Sequence, residues 1–263
     1  MPVSALANEH QNSKICAALY CALPRAFPNF FFALPLSLLS IFFHLFDMRL
    51  THRGFTLIEI AVVLVIIGLI LGGVFKGQEM IVQAKIRNAI ADYHGVAAAY
   101  QSYQDRYHQL PGDDPTAGAR WAGAVAGNGD GIVSGAYNVN CVAAAAANIE
   151  SCLWWDHLRR AGFISGVGRQ APTNAMAGLV GVQTGDGTGG MALGGLSSLL
   201  LCSANLPEKI AIAIDLQLDD GLIDRGTVRG LRQTTPNPAI PNDTTRTNYA
   251  ENGANTYVVC RAL

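Results

Sequence analysis

From Phe55 to Phe75 the chain is almost wholly apolar and carries a formal charge at one position only, the acid Glu59. A run of this kind is about the length needed to cross a hydrocarbon core of ~30 Å. Inside such a core backbone polar groups must be satisfied within the segment, so an isolated run can only be a helix. An ionised carboxylate well inside the bilayer costs on the order of 2.5–3.5 kcal/mol on insertion scales, so an acid retained there calls for a partner. Arg53 and Gly54 stand immediately before the run, and Glu59 falls in its first helical turn, where an anion faces the helix dipole favourably.

The sequence Gly54-Phe55-Thr56-Leu57-Ile58-Glu59, with Gly68 further on, resembles the cleavage and methylation signature of type IV prepilins and type II secretion pseudopilins. The resemblance implies that a membrane peptidase cuts after Gly54 and that Phe55, the new amino terminus, is methylated. It also gives Glu59 its partner, the freed amine of a neighbouring Phe55, during filament assembly. Members of this family are filament subunits rather than enzymes. They often carry a helix-breaking proline where this chain has Lys76 and its neighbours, flanked by Gly72, Gly73 and Gly77. Glycine costs about 1 kcal/mol in a helix interior relative to alanine, so this cluster is a weak point or a surface for close helix packing.

A second apolar block, Phe30 to Phe46, precedes the motif. It reads as a signal-peptide core, a further span, or sequence from a start codon placed too early. Met48 opens the basic stretch MRLTHRG, which suits a leader kept in the cytoplasm by positive charge. The expectation is therefore a leader over 1–54, of which 1–47 comes from a misassigned start. The transmembrane helix follows over 55–79, an amphipathic helix over 80–109, and a periplasmic globular pilin-like domain over 110–263.

The fold class expected is α+β, with the long amino-terminal helix packed on a small antiparallel sheet. Ile86, Ile90, Tyr93, Ala97, Tyr100 and Tyr107 form one helical stripe on which the sheet would sit. Leu110-Pro111-Gly112 ends the helix. Leu153 to Gly162 reads as a short helix, with Trp154 and Trp155 covering the core. The clearest strand by alternation is Ile210, Ile212, Ile214, Leu216 and Leu218. Thr227 to Arg229 is expected to return beside it, and Tyr257 to Cys260 forms a last strand. Thr234 to Asn252 reads as an exposed loop.

The formal net charge of −1 carries no basic stripe, so no nucleic-acid partner is expected. Cleavage after Gly54 would remove Cys16 and Cys21 and leave Cys141, Cys152, Cys202 and Cys260. An even number in an exported domain points to two disulfides, with three possible connectivities. The pairing expected is Cys141 with Cys152 and Cys202 with Cys260. No Cys-x-x-Cys or His-x-x-x-His spacing supports a zinc site.

Asn128-Gly129-Asp130-Gly131 has the look of a calcium turn, with Asp113 and Asp114 as further ligand candidates. The full calcium loop with its terminal glutamate is absent, and plain turn chemistry takes precedence. Asp219-Asp220-Gly221 is weighed the same way. Some secretion pseudopilins bind calcium in such loops, so the resemblance leaves calcium as a possible cofactor. Gly185 to Gly190 formally fits Gly-x-Gly-x-x-Gly but reads as a flexible loop, without the strand and helix a phosphate site needs. His94, His108 and His157 define no catalytic constellation and default to structural roles.

The resemblance implies prepilin peptidase/methyltransferase, other pilin or pseudopilin subunits and an inner-membrane assembly platform as partners. The position is then the inner membrane, crossed once, with a cytoplasmic amino terminus and a periplasmic domain. Size and loop content point to a minor subunit. Leu110-Pro111-Gly112-Asp113, Trp154, His157-Leu158 and Asp219-Asp220-Gly221 look like a group of large pilin-like proteins of uncertain role. Two other classes stay open. One is a membrane-anchored periplasmic binding protein that does not polymerise and uses a Trp154–Trp155 face. The other is a tethered hydrolase built around Asp130.

Overall fold

A computed structural model describes residues 56–242 and 248–263. The Phe30–Phe46 block, the basic leader, Gly54 and Phe55 lie outside the described residues. The chain divides into two units, Met1–Val65 and Ile66–Leu263. In the first, the described residues are helical from Leu57 onwards. The second holds the rest of that helix and every other element.

Helix α1 runs without a break from Leu57 to Tyr107, through the glycines at 72, 73 and 77. Side chains from Leu57 to Phe75 are exposed, and this helix is long and apolar enough to cross a membrane. Beyond Val82 one face becomes buried: Ile86, Ala89, Tyr93, Val96, Ala99 and Tyr103. The stripe is the one expected, turned slightly. Ile90, Tyr100 and Tyr107 flank it half-buried, and Tyr103, absent from the expected set, is fully buried at its centre. The helix stops where His108 turns left-handed (φ 54°), ahead of Pro111.

The short helices α2 (Ala117–Arg120) and α3 (Glu150–Arg160) follow, with a 3-10 turn at Ala144–Ala146. The strands are β1 (Val180–Thr184), β2 (Leu199–Pro207), β3 (Val228–Arg232) and β4 (Thr256–Ala262), and α4 (Glu208–Leu218) lies between β2 and β3. They form one antiparallel sheet in the order β1-β2-β4-β3. One face carries Val180, Val182, Leu199, Leu201, Tyr257 and Val259 into the core shared with α1, α3 and α4. The other face carries Leu200, Cys202, Ala204, Val258 and Cys260 against Tyr137, Leu193 and Ile240 from loops. The Tyr93 hydroxyl donates to the Val259 carbonyl at 2.6 Å and joins helix to sheet. The architecture is α+β and pilin-like, a long amino-terminal helix followed by a small antiparallel sheet.

The segment Ile210 to Leu218 is a helix, which overturns the strand expected from its alternation. Ile210 and Ile214 satisfy both periods, because two steps of two equal one step of four. What separates the periods is Ala211 and Asp215, buried, against Leu216, exposed, which is a helical face. Glu208 in the first turn and alanines at 211 and 213 favour the helix locally. Thr227 to Arg229 accordingly pairs not with that segment but, as β3, with β4. Strands β1 and β2 were not anticipated. β2 is buried on both faces, so Leu199-Leu200-Leu201-Cys202 reads as a continuous apolar run with no alternation to detect.

The short helix begins at Glu150, three residues before its expected start. Trp154 and Trp155 are both fully buried. They close the core as expected, and the exposed tryptophan face needed by an anchored binding protein does not exist. Part of Thr234 to Asn252 is also less exposed than expected: Ile240 is buried, and Tyr249 donates to Asp215 at 2.7 Å.

Both disulfides form as paired from the sequence, Cys141–Cys152 and Cys202–Cys260. Cys202 and Cys260 face each other directly across β2 and β4. Gly181 shows why one position in β1 admits no side chain, since a Cβ there would run into the Tyr137 carbonyl.

Candidate processing and assembly site, and the acidic loop

The described residues begin one position after Phe55, and Thr56 caps helix α1. The Thr56 amide and hydroxyl both donate to Glu59 Oε2, at 3.0 and 2.9 Å, and the Glu59 amide returns a bond to Thr56 Oγ1 at 3.3 Å. This is a capping box, in which the first and fourth residues satisfy each other's amides. Its signature, Thr-x-x-Glu ahead of an apolar run, stands in the sequence at Thr56 and Glu59. The consequence is chemical. Glu59 is held by one oxygen, while Oε1 has no partner among the described residues. An acceptor therefore stays open at the end of the helix where the processed amino terminus would lie. Gly54 and Phe55 themselves lie outside the described residues.

The expected calcium ligands separate into two sites. Asp113 and Asp130 do come together, and the third carboxylate with them is Glu150 at the start of α3, with ligand atoms all within 4.8 Å. No spacing in the sequence announces Glu150, which only the docking of α3 delivers. Asp113 accepts from the amides of Gly129, Asp130 and Gly131, and Glu150 from those of Asn128 and Ser134. Asn128 serves through its side chain, donating to Asp130 at 2.9 Å. Burial pushes the Asp113 carboxyl up from its usual range, with the nearby charges of Glu150 and Asp130 adding to the effect. The carboxylates thus already act as acceptors for the amides of residues 128–134. Gly112, at φ +87° with the Glu150 carbonyl 2.5 Å from where a Cβ would stand, lets the loop approach α3 this closely.

Asp114 is elsewhere. Its side chain is fully buried and accepts from the Tyr103 hydroxyl at 2.6 Å, Thr116 at 2.8 Å and Arg120 at 2.5 Å. Burial works to raise this carboxyl, but the bonds from Arg120, Tyr103 and Thr116 overcome it and hold it below the ordinary range. Arg120 in turn lies 4.3 Å over the Tyr107 ring. His157, fully buried, accepts from the Gly112 amide through Nδ1 at 2.9 Å and places Nε2 2.8 Å from the Val125 carbonyl. That pairing fits the neutral ring, and burial lowers its proton affinity. His157, Asp113, Asp114 and Glu150 together fasten the 110–134 segment to α1 and α3, which is the structural role expected of the histidine.

Two other motifs resolve as turns. Asp186 accepts from the Thr188 and Gly190 amides, so Gly185 to Gly190 folds on itself. Contrary to expectation a strand, β1, does precede this loop, but no helix follows to aim amides at a phosphate. Asp219 accepts from the Thr227 and Val228 amides and Asp220 from Leu222, which closes the turn after α4.

Residues 49–75 match the prokaryotic N-terminal methylation motif. No curated protein and no solved structure matched the chain. The matched segment spans Gly54, Phe55 and Glu59 and continues to the end of the exposed apolar stretch of α1. The motif family is structural rather than enzymatic, and motif and apolar helix together mark a membrane-anchored protein. Through residues 49–75 this chain carries the hallmark of type IV prepilin- and pseudopilin-like proteins.

Proposed function

We propose that the chain is a structural subunit, of the minor kind, of a type IV pilus or type II secretion pseudopilus. Prepilin peptidase cuts after Gly54 and methylates Phe55. The 55–79 segment holds the subunit in the inner membrane, amino terminus cytoplasmic, with the 80–109 helix and the 110–263 domain in the periplasm. An assembly platform then draws the helix into a filament, where the Glu59 carboxylate accepts from the Phe55 amine of a neighbour. One observation carries this reading: the methylation motif falls on an exposed apolar stretch of helix, 57–75, whose one acid keeps an open acceptor near its amino-terminal end. Assembly neutralises in hydrocarbon a charge that is otherwise costly.

The test is intact-mass and amino-terminal analysis after co-expression with a prepilin peptidase. A mature chain beginning at methylated Phe55, with processing slowed in Gly54→Ala, is the expected result. An uncut chain or a cut near Phe46 overturns it. The Asp113–Asp130–Glu150 cluster serves in this reading as a loop clamp rather than a calcium site, because its oxygens already hold amides. Thermal unfolding in detergent is then the same in calcium and in chelator, and a calcium-dependent rise in Tm would restore the metal reading.

A further inference from the structure

Along the buried half of α1 two charged side chains, Arg87 and Asp92, form no ion pair among the described residues. Arg87 is exposed and Asp92 lies about 1.4 turns further on; neither side chain has a hydrogen bond among the described residues either. Asp92 sits at the rim of a groove lined by Ala91, Gly95, Val96, Trp155 and Ile164. Asp92 is exposed, yet partial burial beside those walls pushes its carboxyl up from the usual range, and a cation placed next to it would offset that cost of its charge. A groove with apolar walls and one carboxylate suits an arginine, which lays its aliphatic stem on apolar surface and presents a charged head.

The chain itself supplies that cation in a compatible register. Arg87 and Asp92 are five residues apart, a rise of about 7.5 Å, and point about 140° apart around the helix. They cannot meet within one helix, but two copies displaced by five residues along the axis would bring one copy's Arg87 level with the other's Asp92. Phe55 and Glu59 are four residues apart, so the displacement counted along the chain is nearly the same for both pairs. Two complementary groups on different faces make a heterologous contact, which repeats into an open filament instead of closing into a dimer.

We propose that Arg87 of one copy docks into the Asp92 groove of the next and forms a second intersubunit contact in the register set by Phe55 and Glu59. The occupant is a second copy of this chain, so even a sparse subunit would sit beside its own kind. This inference rests on the filament reading above, and the experiment separates the two.

The full chain is expressed with its peptidase and assembly machinery, and sheared filaments are measured for wild type, Arg87→Asp, Asp92→Arg and the double exchange. Each single reversal is expected to lower filament yield by about fivefold or more, the scale of one well-formed ion pair, and the exchange to restore most of it. The pair Arg87→Cys and Asp92→Cys in one chain should give a ladder of cross-linked copies under oxidation, and neither single cysteine should. Wild-type yield from the single reversals, or no ladder from the double cysteine variant, overturns the contact while wild-type filaments keep the filament reading intact. If the wild-type chain is neither processed at Gly54 nor assembled, both fall. Membrane levels of each precursor report folding, since both positions lie outside the buried core.

Discussion

Glu59 shows how one side chain can serve the fold and the proposed function together. Glu59 closes the capping box with Thr56 and leaves one oxygen open, so it caps its own helix while it waits for a neighbour. Glu59→Val removes the open acceptor but leaves Gly54 and Phe55 unchanged. The expected outcome is loss of filaments with peptidase cleavage largely intact, and wild-type filament yield would refute the pairing. His157 is held neutral between an amide donor and a carbonyl. Its folded proton affinity is lowered, so its contribution is complete above the unfolded value of about 6.5 and is lost as pH falls below it. Asp215, raised to about 6 by burial, acts in the opposite sense and gains stability for the fold as pH falls through that value. The two effects overlap, so the test is a difference: between pH 7 and 5 the stability of His157→Gln should fall less than that of wild type. Equal slopes in the two proteins would remove His157 from the acid response.

At the scale of elements, α4 and the disulfides carry the sharpest expectations. Ile214 is fully buried against the sheet, whereas Ile212 is only half-buried. Ile214→Ala should therefore cost about 2–5 kcal/mol and Ile212→Ala about 1 or less, read from denaturant unfolding. Equal costs would fit the alternating strand that the residues resemble on paper. Removing Cys202–Cys260 opens a loop with a sequence separation of 58, against 11 for Cys141–Cys152. Chain entropy then predicts a loss of about 4 kcal/mol for the first pair and about 3 for the second. A larger effect from the Cys141–Cys152 pair would show that the alanine-rich loop it closes matters more than loop length.

For the whole molecule, what could be seen in advance divides by range along the chain. Helix α1, the lone acid of its apolar stretch, its buried stripe and the even cysteine count were legible in the sequence itself, whereas the tertiary structure chose between the three cysteine pairings. Each rests on a local period, a length or a count, and hydrophobic periodicity near 3.6 over many residues has few competing interpretations. The capping box was equally legible at Thr56 and Glu59. The tertiary structure alone decided that Ile210 to Leu218 is a helix, that Leu199 to Pro207 is a central strand, and that Glu150 joins Asp113 and Asp130. In the first case a four-residue spacing satisfies both periods, and packing against the sheet breaks the tie. In the second, burial on both faces erases the alternation that marks a strand. In the third, carboxylates far apart in sequence share a site only because α3 docks beside the loop, and no local rule encodes that meeting.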